Sequence, residues 1–521
     1  MSKLDVIELS LFASRVEAIC DEMGVVLRRT AFSPNIKDRL DFSCALFGVN
    51  GELYSQAAHI PVHLGSMAFA MASIVGEIDW QEGDLLAVND PYLGGTHLPD
   101  VTLISPVFSQ AVNTAKSQLV GFVANRAHHA NIGCESPGSM PVSSNLAEEG
   151  IIIPPTLIVR GGKLLAAANL LPETKGELSG DFAAQAGANK VGVERLQELV
   201  SKTGVAKYFR AMDELERVAD RTMAAVVKKL PNGQTTFTDY LDDDGKGTRN
   251  IKLEVSLAIL DDRVELDFTH CADQVPGNLN CPEAVVAAAT YYCFRCLIDA
   301  DTPACAGLFK RIAIKTRDGS IVNPRRPAAV AAGNVETSTR LVDLVFGALA
   351  QSLPERIPAA SQGTMNNVAM GYISPETGAR WDYYETVAGG HGAGPNYSGL
   401  NGAHSHMTNT LNTPVESLEL SYPLRLRRYE IRRGSGGKGQ NQGGDGVIRE
   451  YEFLEPTQLS LLGERRNHPP WGLAGGESGV TGDNRLNNQR ISAKSELTVT
   501  SGDVLTLLTP GGGGWGRHSD Q

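Results

Sequence analysis

The sequence predicts a mixed α/β (α+β) fold with more than one domain, and three observations carry that reading. At 521 residues the chain is longer than one ordinary hydrophobic core can organise. Segments with strand-like alternation and segments with helical periodicity occur in separate blocks. Glycine-rich turns punctuate strand-like segments after residue 416. The blocks divide the chain into a strand-rich α/β region at 1–177, a charged helical segment at 178–230, an α/β region at 231–415 and a glycine-rich β region at 416–521. No fixed-period repeat or disordered linker separates them, so close packing is expected.

The elements follow in order. Ile7, Leu11, Phe12, Val16, Ile19, Met23 and Val26 recur at helical spacing and predict a helix over 5–30, ending before Ser33-Pro34. Residues 41–46 and 53–55 read as a strand pair turned at Asn50-Gly51. A helix over 67–75 is apolar nearly all round and therefore buried. Strands are expected at 85–88, 101–108 and 119–124, helices from Gly180, over 193–200 and over 205–229, then strands at 233–240, 251–260 and 263–268. Residues 284–298 read as a buried helix, and 429–433, 446–454, 459–463 and 503–508 as strands.

The stretch Asn89-Asp90-Pro91-Tyr92-Leu93-Gly94-Gly95-Thr96-His97-Leu98-Pro99-Asp100 sets an imidazole and a carboxylate three residues apart behind a Gly-Gly turn. These are natural ligands for a divalent cation. His128, in Ala127-His128-His129-Ala130-Asn131, supplies a third, and Asp41 is the choice for a fourth. Five of the 11 histidines fall between 59 and 129, which makes this third of the chain the expected metal region. His97 and Asp100 are expected on a loop between strands and His128 at a strand end; a buried histidine bonded to a neighbouring carboxylate would give the same local spacing. His129 faces the other way on a strand, so packing competes with proton transfer as its role. Asp38 is a candidate base or supporting carboxylate. Manganese, iron and zinc all accept two imidazoles and a carboxylate, with manganese or iron slightly favoured.

Other motifs carry less. Gly434–Gly439 formally matches GxGxxG but runs on into a strand-like segment, where a dinucleotide loop would open a helix. No GxxxxGK[ST] is present, and neither GxSxG nor HExxH occurs. Cys293-Phe294-Arg295-Cys296 has no second pair at zinc-ribbon spacing, and Asp242-Asp243-Asp244-Gly245 lacks the later glutamate of a calcium loop. Glu385–His391 and His404–His406 are candidates for a pocket lining. The net charge of −12, without a basic tract, argues against nucleic acid. No apolar run is long enough for a membrane span, the N-terminus lacks signal-peptide character, and eight cysteines are too sparse for a disulfide scaffold, so a reduced cytoplasmic protein is expected.

On several of these residues the chain resembles the hydantoinase B/oxoprolinase family. The pieces are 33–43 (Ser-Pro-Asn-Ile-Lys-Asp-Arg-Leu-Asp-Phe-Ser), Pro61-Val62-His63-Leu64-Gly65-Ser66-Met67, the 89–100 motif, Pro137-Gly138-Ser139, Glu149-Gly150, Asn323-Pro324, Gly333-Asn334, Pro423-Leu424-Arg425, Pro469-Pro470-Trp471-Gly472 and Gly511–Gly516. The resemblance implies the hydantoinase B-type component of an ATP-dependent hydrolase that opens cyclic amides such as hydantoins, 5-oxoproline or lactams. It further implies a hydantoinase A-type partner subunit that binds ATP and Mg, and a divalent metal at His97, Asp100 and His128. Two other readings stay open: a component of an ATP-dependent ketone carboxylase of the acetone or acetophenone type, and a non-catalytic scaffold subunit. The family pattern AHxxDIGG is broken here, with Asn131 for an aspartate and Cys134 for a glycine.

Overall fold

A computed structural model describes residues 6–57, 60–63, 65–109, 117–172, 174, 176–178, 180–299 and 302–517. His59, counted above among the clustered histidines, lies outside them.

The N-terminal sheet holds seven strands: β1 (Phe42–Phe47), β2 (Leu53–Gln56), β3 (Leu85–Val88), β4 (Asp100–Phe108), β5 (Leu119–His128), β6 (Thr156–Arg160) and β7 (Lys163–Leu164). Their order is β2-β1-β5-β4-β3-β6-β7, and every pairing is antiparallel. Alternate residues point to opposite faces. On one face Cys44, Leu46, Val123 and Ala127 pack against α1 (Val6–Thr30), α4 (Gly180–Thr203) and α5 (Val205–Val227). On the other, Ala45, Phe47, Ile104, Phe122 and Ala124 join the largest core. Because the sheet is covered on both sides, β1 is buried at every position. Two shorter helices flank it, α2 (Pro34–Lys37) and α3 (Ser66–Ile74).

The largest core continues into a second sheet of order β11-β10-β9-β8, made by β8 (Gly233–Asp243), β9 (Arg249–Ile259), β10 (Val264–Asp267) and β11 (Ile312–Lys315). Helices α6 (Glu283–Arg295) and α7 (Ser338–Ala350) pack in the same core. A π-helical turn, Gly333–Thr337, leads into α7 and is buried throughout.

The chain then forms β12 (Asn367–Ile373), β13 (Arg380–Glu385), α8 (Val415–Ser421), β14 (Leu424–Arg432), β15 (Gly446–Phe453), β16 (Thr457–Leu462), β17 (Asp483–Leu486), β18 (Gln489–Arg490), β19 (Lys494–Val499) and β20 (Val504–Leu508). They build two sheets, β13-β12-β16-β19 and β14-β15-β20-β17-β18, over a shared core. Strands from before residue 416 thus hydrogen-bond to strands from after it. The change of composition at that point is a change of style within one fold.

Most segments read from periodicity match the structure within a few residues, but β5 runs on from the expected 124 to His128 and β14 begins at Leu424 where 429 was expected. Residues 180–203 form a single 24-residue helix where two shorter pieces were expected. Among the described residues no helix is long and apolar enough to cross a membrane.

The glycine-rich tail is packed backbone to backbone. Gly512 donates to the Gly444 carbonyl and accepts from the Gly437 amide. A Cβ on Gly512 would lie 1.9 Å from the His391 carbonyl oxygen. The Gly436 amide is taken by Asp445 and the Gly437 amide by Gly512, so this GxGxxG is a structural turn. Gly512→Ala should lower stability by about 3 kcal/mol or more through forced backbone shifts. Gly187→Ala, where a Cβ on α4 meets nothing within 4 Å, should instead raise it by roughly 0.5–1 kcal/mol. Urea unfolding midpoints check both.

Candidate metal centre

Sheet register brings the predicted ligands together. Asp100 opens β4 and pairs directly across from His128, the last residue of β5. Paired residues of antiparallel strands share a face, so carboxylate and imidazole stand side by side. Thr102 and Arg126 form the next pair on that face, and Arg126 Nε donates to the Thr102 hydroxyl at 2.8 Å. His97 precedes β4 in a turn closed by the Asp100 amide on the His97 carbonyl at 3.1 Å. The Gly-Gly pair lets this turn form. Gly94 has φ +93° with Ala70 so near that a Cβ would lie 2.4 Å from its Cα, and a Cβ on Gly95 would lie 2.5 Å from the Asn89 carbonyl oxygen.

One ligand atom each from His97, Asp100 and His128 lies within 4.8 Å of the other two, and all three residues are buried. Asp100 Oδ1 sits 3.2 Å from His97 Nε2 and 3.3 Å from His128 Nδ1. Its other oxygen, Oδ2, accepts from the Thr96 hydroxyl at 2.6 Å, from Asn334 Nδ2 at 3.3 Å and from His63 Nε2 at 3.4 Å. Oδ2 is thereby saturated, whereas Oδ1 has no hydrogen-bond donor, and neither His97 Nε2 nor His128 Nε2 has a partner.

His97 Nδ1 donates to the Ala331 carbonyl at 3.2 Å, which leaves Nε2 of the neutral ring bearing a lone pair. That lone pair faces Asp100 Oδ1. Only a proton or a cation between them removes the repulsion, and the donor set of two imidazoles and one carboxylate suits a metal ion. Burial works against charge on His97, but Asp100 outweighs it and holds the ring above the ordinary imidazole value. Burial holds His128 below that value. Asp100 is kept well below the carboxylate range, because the surrounding histidines overcome its desolvation.

The three side chains line a cavity with about 20 Å³ open to the centre of a water-sized sphere, room for an ion and a small ligand. Asp41, His63, Asn334, Tyr384, Thr386, Thr408 and Thr410 complete much of its wall. Tyr384 stacks on His128 at 4.8 Å and donates to Asn367 Oδ1 at 2.7 Å.

The other sequence candidates fall in different places. Asp41 lies on the wall, but its carboxylate leans toward Arg39 at 3.6 Å and stands outside the three-residue group. Asp38 is half-buried at the end of α2, away from the cavity lining. His129 points to the opposite face of the sheet, stacked on Phe182 with Nε2 on Gln185 Oε1 at 2.9 Å, a packing position. Asn131 accepts from the Gly133 amide within its own turn. Cys134 lines a separate cleft of about 380 Å³. Asp243 and Asp244 accept amides of the turn that follows β8, and Asp242, still within β8, accepts the Arg466 amide, so all three carboxylates serve the fold. Cys293 is buried and Cys296 exposed, both free thiols.

Sequence reasoning left His63, Asn334, Tyr384, Thr408 and Thr410 without a role, whereas Thr386 lies in the segment 385–391 expected to line a pocket and does line this cavity. His63 and Asn334 did lie in the quoted family motifs. Glu149, from another of those motifs, accepts from the Val330 and Ala331 amides at 2.9 Å and so fixes the carbonyl that orients His97. Burial pushes its carboxyl up to about 7.

Of the predicted pocket-lining histidines, His391 donates from Nε2 to the His404 carbonyl at 2.7 Å. His404 shows some surface, but both its ring nitrogens are shielded and without a partner. Desolvation lowers it from 6.5 to about 3. Above pH 6.5 the ring is neutral in folded and unfolded chains alike; below it the unfolded chain gains a proton that the folded chain refuses. Stability should therefore fall by about 2 kcal/mol between pH 7 and pH 5 through this group. His404→Gln should remove that share of the slope, as read from urea midpoints at the two pH values.

Known proteins share this fold and much of the sequence. A family model described as hydantoinase B/oxoprolinase matches residues 5–518. The chain is 38% identical to 5-oxoprolinase 1 of Arabidopsis thaliana over 99% of its own length, yet spans only 42% of that protein. It is 29% identical to the B-type component of a provisionally named D-/L-hydantoinase of Pseudomonas sp., covering 99% of this chain and 91% of the other. The crystal structure of an ATP-dependent caprolactamase from Pseudomonas jessenii superposes with a TM-score of 0.90 at 27% identity, covering 100% of this chain and 93% of that one. The chain belongs to the hydantoinase B/oxoprolinase family.

Proposed function

We propose that this chain is the hydantoinase B-type component of an ATP-dependent cyclic amide hydrolase that opens a hydantoin, 5-oxoproline or lactam ring. The observation that carries the reading is the trio His97, Asp100 and His128, whose unpartnered ligand atoms converge on one buried cavity. In the proposal these residues hold manganese, iron or zinc. When bound, such an ion supplies Lewis acidity to a carbonyl and lowers the pKa of a water.

The chain's own groups do the rest. Thr96, Asn334 and His63 fix Asp100 so that one oxygen stays free. Ala331, held by Glu149, fixes the His97 tautomer. Asp41 is the cavity carboxylate placed to take a proton from an attacking water or to serve as a further ligand. Arg39 stands 3.6 Å from it and anchors it beside the site. A resting cyclic amide resists attack, and phosphorylation of its oxygen provides the better leaving group.

A hydantoinase A-type partner subunit is assigned ATP and Mg. Two observations support that division. Both GxGxxG matches, Gly434–Gly439 and Gly511–Gly516, are closed by hydrogen bonds within the chain. The chain also covers most of a hydantoinase B-type polypeptide but under half of a 5-oxoprolinase, which leaves the remaining length of the latter to a second function. We place the complex in the cytoplasm, in keeping with eight free cysteines.

Two measurements test the reading together. Metal analysis of the purified chain should find about one divalent ion, with affinity lowered by roughly 100-fold in His97→Ala and Asp100→Asn and unchanged in His129→Gln. With the partner and ATP, wild type should release ring-opened product and the first two variants should lose at least about 100-fold in turnover. Consumption of bicarbonate with no ring-opened product would instead identify a carboxylase component; a metal-free wild type would leave a scaffold.

A further inference from the structure

The cavity has a second wall that the metal reading leaves without a task. Thr386, Thr408 and Thr410 line it, and all three are buried. Their hydroxyls form a run, Thr386 to Thr410 at 2.8 Å and Thr410 to Thr408 at 3.3 Å. At one end Arg39 Nη2 donates to the Thr386 hydroxyl at 3.3 Å. A guanidinium has no acceptor, so the Thr386 oxygen must accept there. Three hydroxyls carry three hydrogens, and the two bonds between them use two, whichever way each bond points. One O–H is left over, and each of its possible owners is a residue that lines the cavity.

Charge points the same way. The buried carboxylates of Asp41 and Asp100 are matched by the buried guanidiniums of Arg39 and Arg126. A divalent cation added to that balance leaves two positive charges uncompensated among buried groups, a condition that favours an anionic ligand.

We propose that Thr386, Thr408 and Thr410, polarised by Arg39, form an oxyanion-binding wall that takes a phosphate group beside the metal. The inference rests on the metal-assisted reading of the same cavity and names the groups that would hold the phosphate of the activated carbonyl. The threonines recognise the phosphate oxygens by hydrogen-bond donation, while the imidazoles and carboxylate serve the cation.

The test uses inorganic phosphate and the full chain loaded with manganese, read by ³¹P NMR line broadening with metal content measured in the same samples. Wild type should show saturable broadening. Thr410→Val, which breaks the run at its middle, should weaken phosphate binding by roughly 10-fold or more while manganese stays bound, and Thr410→Ser should restore it. Thr408→Val, at the open end of the run, repeats the test if the first variant does not fold. Manganese-loaded wild type without saturable broadening overturns the proposal, as does equal phosphate affinity in the valine variants. A wild type that takes up no manganese overturns the metal reading instead. In that case calorimetric titration of phosphate into the metal-free chain decides the wall: Thr410-dependent binding supports it, and absent or Thr410-independent binding ends it.

Discussion

The pairing of Asp100 with His128 across two antiparallel strands is the constraint on which the rest of the site depends. Strand pairing sets which residues are neighbours, and alternation sets which face they share. A slip of one residue would turn His129 into the cavity and His128 toward the helices. Several contacts oppose such a slip. His128 donates its amide to the Asp41 carbonyl, His129 donates to the Pro99 carbonyl, and Gln185 of α4 grips both Val101 and Asn125 on the far side. The helical layer thus secures the register from which the ligands emerge.

A second asymmetry decides what the carboxylate can do. Asp100 offers two oxygens in one buried position, and three donors converge on just one of them. They come from three separate segments, around 63, 96 and 334, so the free oxygen is aimed by the tertiary fold. The π-helical turn that delivers Asn334 fits this picture, because such distortions of a helix re-aim side chains at functional positions. The threonine wall is built by the same logic, with a buried arginine donating to one end of a neutral run of hydroxyls.

Much of this fold was readable from sequence because its elements obey local periodicity: α1 from its apolar spacing, β1 and β2 from the Asn50-Gly51 turn, β15 and β20 from alternation between glycine turns. The central ligands were readable too, since His97 and Asp100 share one motif and His128 lies 28 residues beyond it. The remainder of the site was hidden for a physical reason. Asn334 has no chemistry of its own until the fold sets it beside Asp100, nor Thr408 until it lines the same cavity, and no local spacing encodes a contact across more than 200 residues. At residue 416 the glycine content changes, while sheet hydrogen bonding joins strands from either side of that point. Asp38 stands three residues before Asp41 and still misses the cavity, because it caps the C-terminal end of α2.

The central claim is that two imidazoles and one carboxylate of this chain grip a cation. X-ray absorption of the zinc-loaded protein tests it most directly. The account predicts scattering from two imidazole rings plus oxygen, falling to one ring in His128→Ala. A coordination shell without imidazole, or one unchanged by that substitution, would contradict it.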